Sequence, residues 1–191
     1  YTSVAVANKE PNRDDFEASA TEQPRREQLI DWEAGFEFKK PKYTINANVY
    51  YMDYKDQLVL TGKINDVGAY TRVNVPRSYR AGIELQVKYA LNKYFNSSYN
   101  ITLSQNKIEE FTEYIDDYDQ FKQLAIPHKN TNIALSPSLT MNRIFNWKPN
   151  DKLSFFWTSK YTSRQFLDNT QNKDRILNAF FINDINAHWT I

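Results

Sequence analysis

Residues 43–60, YTINANVYYMDYKDQLVL, decide the fold class. Tyr43, Ile45, Ala47, Val49 and Tyr51 fall on one parity, and Thr44, Asn46, Asn48 and Tyr50 on the other. Side chains of a strand alternate between faces with period two. One face is therefore apolar and closed by a tyrosine at each end, while the other carries uncharged amides and a threonine. A soluble sheet would turn the apolar face into a core; a membrane-spanning sheet would turn it to lipid.

The same alternation recurs along the chain. In LIDWEAGFEF (29–38), Ile30, Trp32, Ala34, Phe36 and Phe38 oppose Asp31, Glu33, Gly35 and Glu37. In AGIELQVKYAL (81–91), Ile83, Leu85, Val87 and Tyr89 oppose Gly82, Glu84, Gln86 and Lys88. SYNITLSQN (98–106), the stretch 132–147 (interrupted on its apolar parity by Arg143), LSFFWTSKY (153–161) and NDINAHWTI (183–191) repeat the pattern, and TSVAVAN (2–8) opens the chain with a shorter version. The count is about eight strands of roughly 9–12 residues, with no convincing amphipathic helix. Connections alternate in length. KKPK (39–42), NKYF (92–95) and KPNDK (148–152) are short, whereas 9–27, 61–78, 107–129 and 165–178 are long and polar. In an antiparallel meander this puts every short turn at one rim and every long loop at the other.

The composition narrows the classes. The 191 residues include 15% aromatics, only 4 glycines and no cysteine, with a net charge of +1. Disulfide scaffolds, CxxC metal sites and thiol catalysis are excluded, and no large single-sign field points to nucleic acid. No apolar run reaches the length of a transmembrane helix. The mean hydropathy of −0.71 does not exclude a membrane barrel, whose strands are only half apolar. Parity alone cannot separate a membrane barrel from a soluble one. Loop asymmetry, strand length and Tyr/Trp strand ends favour an all-β antiparallel transmembrane β-barrel with short periplasmic turns and long extracellular loops. Trp32, Tyr43, Tyr51, Tyr89, Trp147, Trp157 and Trp189 are then expected as interface anchors.

Several motifs in order resemble the barrel of TonB-dependent outer-membrane receptors. EPNRDDF (10–16) leads through a polar loop to PRREQLIDWEAGFEF (24–38), where Pro24, Glu27, Glu33 and Gly35 match a Pro-Glu strand entry, split here by Arg25 and Arg26. YYMDYKDQLVL (50–60) matches an upward strand, and SYRAGIELQVKY (78–89) a returning one through Ser78, Gly82, Glu84 and Leu85. Later strands at 100–114 and 180–191 look like the same barrel. The resemblance implies that residues 1–191 are part of one barrel domain from the second half of a receptor, with the plug domain and several strands lying outside the segment. It implies uptake of a scarce, large nutrient, first an iron chelate such as a ferric siderophore. The implied partners are outer-membrane lipid and the TonB complex acting through the plug, and the location is the bacterial outer membrane. A stand-alone eight-stranded pore or adhesin, or a soluble β-barrel binding domain, remains the alternative.

Candidate ligand contacts fall in the expected loops. Arg13, Asp14 and Asp15 could shape the mouth, although a Pro-Asn turn with Arg13 paired to a carboxylate is the plainer reading. Tyr70, Arg72, Arg77, Tyr79 and Arg80 form a basic, aromatic stretch suited to an anionic chelate. EEFTEYIDDYD (109–119) reads as a solvated acidic loop, since it lacks the turn glycine of a calcium loop. His128 and His188 lack metal-ligand spacing, and His188 is expected to face the lumen beside Asp184 and Asn186. No G-x-S-x-G elbow appears, and no enzyme, metal site or cofactor is expected.

Overall fold

The computed structural model describes residues 1–17, 23–64, 70–117, 119–120 and 122–190. In chain order the elements are β1 (Thr2–Lys9), α1 (Arg13–Glu17), β2 (Glu27–Lys40), β3 (Tyr43–Ile64), β4 (Tyr70–Ala90), β5 (Phe95–Asp117), β6 (Lys122–Asn132), β7 (Leu139–Trp147), β8 (Leu153–Thr162), β9 (Gln165–Phe166), β10 (Ile176–Leu177) and β11 (Phe180–Trp189). One antiparallel sheet runs β1-β2-β3-β4-β5-β7-β8-β11, with β6 pairing the far half of β5. β9 and β10 form a separate small hairpin. The sheet is open, because β1 pairs only with β2 and β11 only with β8 among the described residues. The closed stand-alone barrel entertained from the sequence is therefore not what the sheet forms.

The register keeps the two faces distinct. Directly opposite residues of an antiparallel pair share a face. Trp32 stands opposite Tyr51, Val49 opposite Ile83, Ile83 opposite Leu103, and Phe145 opposite Trp157. This apolar face is bare: Ile83 is 52% exposed, Trp157 46% and Ile185 73%. The dry interior that a soluble barrel would build around Ile83, Leu85 and Val87 is not formed there. On the other face Asn46 Nδ2 donates to Gln86 Oε1 (3.1 Å) and Gln86 Nε2 to Asn100 Oδ1 (3.0 Å). An amide both donates and accepts, so one row satisfies itself across three strands without adding charge.

Close approach on this polar face explains two glycines. The Tyr50 ring crosses β4 at Gly82, where a Cβ would lie 2.5 Å from the Tyr50 hydroxyl and 2.6 Å from the Leu103 carbonyl oxygen. The Tyr1 ring covers Gly35 in the same manner, with its hydroxyl donating to Asn48 Oδ1 at 3.2 Å. At the short-turn rim, Asn92 Oδ1 accepts from the amides of Tyr94 and Phe95, and Asn150 Oδ1 from those of Lys152 and Leu153. These asparagine-capped turns reverse the chain in few residues.

The opposite rim departs from the sequence expectation. Residues 61–78 and 107–129, read as loops, are largely strand: β3 runs to Ile64, β4 starts at Tyr70, and β5 and β6 form a second long hairpin. The stretch 132–147, read as continuous, breaks instead before β7, where Leu135 has φ 51° and donates its amide to the Phe166 carbonyl at 2.8 Å. Parts of the expected loops, 18–22 and 65–69, lie outside the described residues.

The sequence signal failed because the alternation reverses within these strands. Asp56 adopts φ 55° opposite Pro76, between the pairs Lys55–Arg77 and Gln57–Val75. Asn130 adopts φ 54° opposite Glu109, between Ile108–Thr131 and Glu110–Lys129. A residue with positive φ rotates the chain, and Asp and Asn tolerate it better than most. Past these points the inward parity switches, to odd numbers on β3, β4 and β5 (Val59, Val75, Phe111) and to even numbers on β6, where His128 stands opposite Phe111. Ile108 (0% exposed) packs with Val59, Val75, Phe111 and Ile133 in a small buried cluster, with Val73 against it.

Substituting Gly82 with Val should force Tyr50 aside and cost about 1–3 kcal/mol in denaturant unfolding of the intact barrel. Adding Tyr50→Ala should recover only part of that loss, because the Leu103 carbonyl still meets the new side chain. A Gly82→Val variant as stable as wild type would contradict the packing.

Candidate functional site

The end of the sheet beyond Asp56 and Asn130 gathers most of the side-chain chemistry. EPNRDDF forms a helix cap and an anchor. Asn12 Oδ1 accepts the Asp15 amide (3.0 Å) while Asp15 Oδ2 accepts the Asn12 amide (2.8 Å), a reciprocal cap on α1. Asp15 is 2% exposed and receives Arg72 Nε at 2.7 Å and Nη2 at 2.6 Å. This planar two-point bond fastens α1 to β4. Arg13 and Asp14 flank it in exposed positions. The polar turn expected at this motif is thus a single helical turn, and its Asp15 pairs with Arg72.

A second set of bonds holds the reversal point. Arg25 pairs with Asp56 at 2.9 Å. Asn74 accepts the Arg25 amide (2.7 Å) and donates to the carbonyls of Arg25 (2.9 Å) and Asp56 (2.6 Å). Glu27 accepts the Leu58 amide at 2.9 Å, and Ser78 donates to Gln57 at 2.6 Å. The loop 165–178 is tied in by Asn169, 1% exposed, which accepts from the Ala134 amide and donates to the Leu60 carbonyl, both at 2.8 Å. Within that loop Asp168 accepts from Thr170 and pairs with Arg175 at 2.9 Å. Desolvation is the largest single influence on Asp168 and pushes its carboxyl up. The hydrogen bonds from Thr170 and Arg175 together outweigh it and hold the carboxyl below its usual range.

The eight residues singled out in the sequence do not form one cluster. Arg72 is committed to Asp15. Arg77 and Tyr79 lie on the apolar-face parity: Tyr79 stacks on Tyr51 (5.9 Å) and bonds Gln105 (3.1 Å), while Arg77 approaches Asp53 at 3.7 Å. Arg80 points to the polar face, where Nη1 donates to Asn106 Oδ1 (3.3 Å) and Ser136 Oγ (3.2 Å). Its row also holds Met52 and Asp31, whose Oδ1 is buried without a partner among the described residues. Tyr70 opens β4 opposite Ile64, and its side chain lies outside the described atoms.

Sequence reasoning also missed the β5–β6 hairpin as a surface. His128 Nε2 lies 3.0 Å from Glu113 Oε2, and its ring stacks on Phe111 at 6.1 Å. A groove beside them is lined by Val75, Phe111, Tyr114, Pro127 and His128. The acidic run expected as a loop supplies Glu113 here and Glu110, which pairs with Lys129 at 3.3 Å. The Asp116 side chain is outside the described atoms. His188 keeps the expected polar-face parity, with its ring edge-on to Phe156 at 5.3 Å. The arrangement offers donors, aromatic surface and buried acceptors for binding; the described residues bring together no nucleophile–base–orienter set.

Comparison with known proteins places this architecture. A family model described as "TonB dependent receptor-like, beta-barrel" matches residues 18–191. No curated protein matches significantly. Among solved structures, the copper transporter OprC superposes with a TM-score of 0.73 at 14% identity, covering 100% of this chain and 28% of that one. The siderophore receptor PiuA from Acinetobacter baumannii gives 0.69 at 14% identity, with 100% and 27% covered. The ferric yersiniabactin uptake receptor FyuA from Yersinia pestis gives 0.67 at 15%, with 98% and 27% covered. The chain spans less than a third of the length of each.

Two outcomes test the mouth. Asp15→Ala leaves Arg72 without its carboxylate and should cost about 3–5 kcal/mol of local stability, read as faster proteolysis of residues 10–27 in the folded barrel. Asp168, with a lowered folded pKa, stabilises the 165–178 loop above the ordinary carboxylate value of about 3.9. That contribution should disappear as pH falls through the folded value. The protection of the Thr170 amide against exchange, taken relative to its intrinsic rate at each pH, should then fall in acid in the wild type, and Asp168→Asn should lose this acid dependence.

Proposed function

This chain belongs to the TonB-dependent receptor β-barrel family, and on that premise we propose that it is a wall section of an energised receptor for a scarce, large nutrient, first of all a ferric siderophore or similar iron chelate. The family is one of bacterial outer-membrane receptors and transporters, and this reading contains no bond chemistry. The carrying observation is the pair of opposite faces. The bare face that carries Trp32, Ile83 and Trp157 meets lipid, while the Asn46–Gln86–Asn100 row faces a wet lumen. Trp32, Tyr51 and Tyr79 mark one interface, and Tyr43, Tyr89, Trp147 and Trp189 the other.

In this reading the mouth end binds and the TonB complex drives release through a plug domain of the whole receptor. Arg80 is the cation placed to meet an anionic chelate, since Arg72 is neutralised by Asp15 and Arg77 lies on the lipid side. The siderophore receptors among the similar folds support the choice of substrate class, and the copper transporter keeps other metal chelates in view.

The test is uptake. Iron-starved cells carrying the intact receptor should accumulate a labelled ferric siderophore, and removing TonB should abolish this. Arg80→Ala should weaken binding of that chelate about tenfold, the effect of one charge-assisted contact. TonB-independent uptake would sink the proposal, and unchanged affinity in Arg80→Ala would move the contact elsewhere.

A further inference from the structure

The apolar face carries a polar row that the uptake reading leaves unused. Tyr99, Arg143, Ser159 and Asn183 stand directly opposite one another on β5, β7, β8 and β11. The adjoining outward positions are largely apolar, with Met141, Tyr161 and Phe181 on the mouth side and Phe145, Trp157 and Ile185 on the other, where Ser97 donates its hydroxyl to the Ile144 carbonyl. Arg143 is exposed and has no carboxylate within ion-pair distance among the described residues. Its guanidinium lies over the rings of Tyr99 (5.5 Å) and Phe145 (5.6 Å). Rings ease the desolvation of a cation and fix its position, but they do not neutralise it.

The neighbouring amide completes the argument. Asn183 Oδ1 accepts from Trp157 Nε1 at 3.0 Å and from Ser159 Oγ at 2.7 Å. An indole N–H can only donate, so the oxygen of Asn183 must face Trp157 and its NH2 group is left outward. Asn183 has therefore used its oxygen and keeps its donors outward, beside the Arg143 guanidinium and the Tyr99 hydroxyl, which can also donate. A donor row around an uncompensated cation, set in an apolar band, is a site for an anion. A guanidinium matches a phosphate with two parallel hydrogen bonds.

Arg143 leans over Phe145, which lies toward the short-turn rim. That rim is marked by Trp147, stacked on Phe95 (6.1 Å) and Phe155 (5.2 Å), roughly 13 Å along the strand at ~3.3 Å per residue. Long cationic side chains on a lipid-facing surface bend toward the nearer interface. We infer that the Tyr99–Arg143–Ser159–Asn183 row binds the phosphodiester of a phospholipid in the leaflet at the short-turn rim. The inference rests on the lipid-facing reading of the apolar face.

The test uses the intact receptor in mild detergent, with phosphatidylglycerol as the probe and native mass spectrometry as the readout. One bound phosphatidylglycerol is expected in the wild type. Arg143→Leu and Arg143→Gln should each lower occupancy at least tenfold, and Asn183→Leu severalfold, in barrels that keep the heat-modifiable mobility of the folded form. Lipid A, a phosphate source from the other leaflet, should not displace the probe. Wild-type occupancy in both Arg143 variants overturns the site, and displacement by lipid A at equal concentration overturns the leaflet assignment. A nitroxide at Ile83→Cys separates this from the parent reading. If it shows bilayer contact while Arg143→Leu changes nothing, only the phosphate site fails; if it shows none, the lipid-facing face itself fails.

Discussion

A backbone amide that cannot reach water must find its carbonyl in a neighbouring strand, and the other features of this sheet follow from that requirement. The ladder from β1 to β11 is continuous across the wall, so each strand of that path between the two edges has a neighbour on both sides to bond its main chain. With the backbone satisfied, side chains on the two faces are free to meet different media. The apolar side needs only shape and grease. The wet side needs donors and acceptors that cancel locally, which the Asn46–Gln86–Asn100 row supplies with three neutral amides. Where bulk must cross the ladder, as with Tyr50, the opposing residue shrinks to Gly82.

The part of the fold legible in the sequence was the part governed by period two. Along the wall each strand keeps an apolar and a polar face, so parity and register agree from Trp32 through Tyr51 to Ala81. The short turns were legible as well, because Asn92 and Asn150 carry their turn chemistry in a single residue. Beyond Asp56 and Asn130 the same strands continue with their faces exchanged. A pattern search reads such a reversal as the end of a strand, and positive φ at Asp or Asn has no marker as plain as glycine. The buried cluster around Ile108 was hidden for that reason: its members alternate correctly on either side of the reversal and incorrectly across it.

The mouth was less legible than the wall. Residue type identified Asp15 and Arg72 as interesting, but only the fold reveals that they are spent on each other. Arg77, Tyr79 and Arg80 are close neighbours in sequence, and a strand sends Arg77 and Tyr79 one way and Arg80 the other. His128, Glu113 and Phe111 meet through hairpin pairing, which no local motif encodes. The family resemblance supplied the function class from motif order, and the structure supplies reasons for two of those motif residues: Ser78 bonds Gln57, and Gly82 lies beneath Tyr50.

The two reversal points also divide the sheet into parts that tolerate change differently. Below Asp56 and Asn130, inserting a single residue would turn a run of side chains into the wrong medium. Above them, paired insertions or wholesale replacement of a hairpin tip leave the wall's alternation untouched. A sheet built this way can exchange its hairpin tips while keeping the same wall, and such hinges of pattern are where a new tip can be grafted at the least risk to assembly.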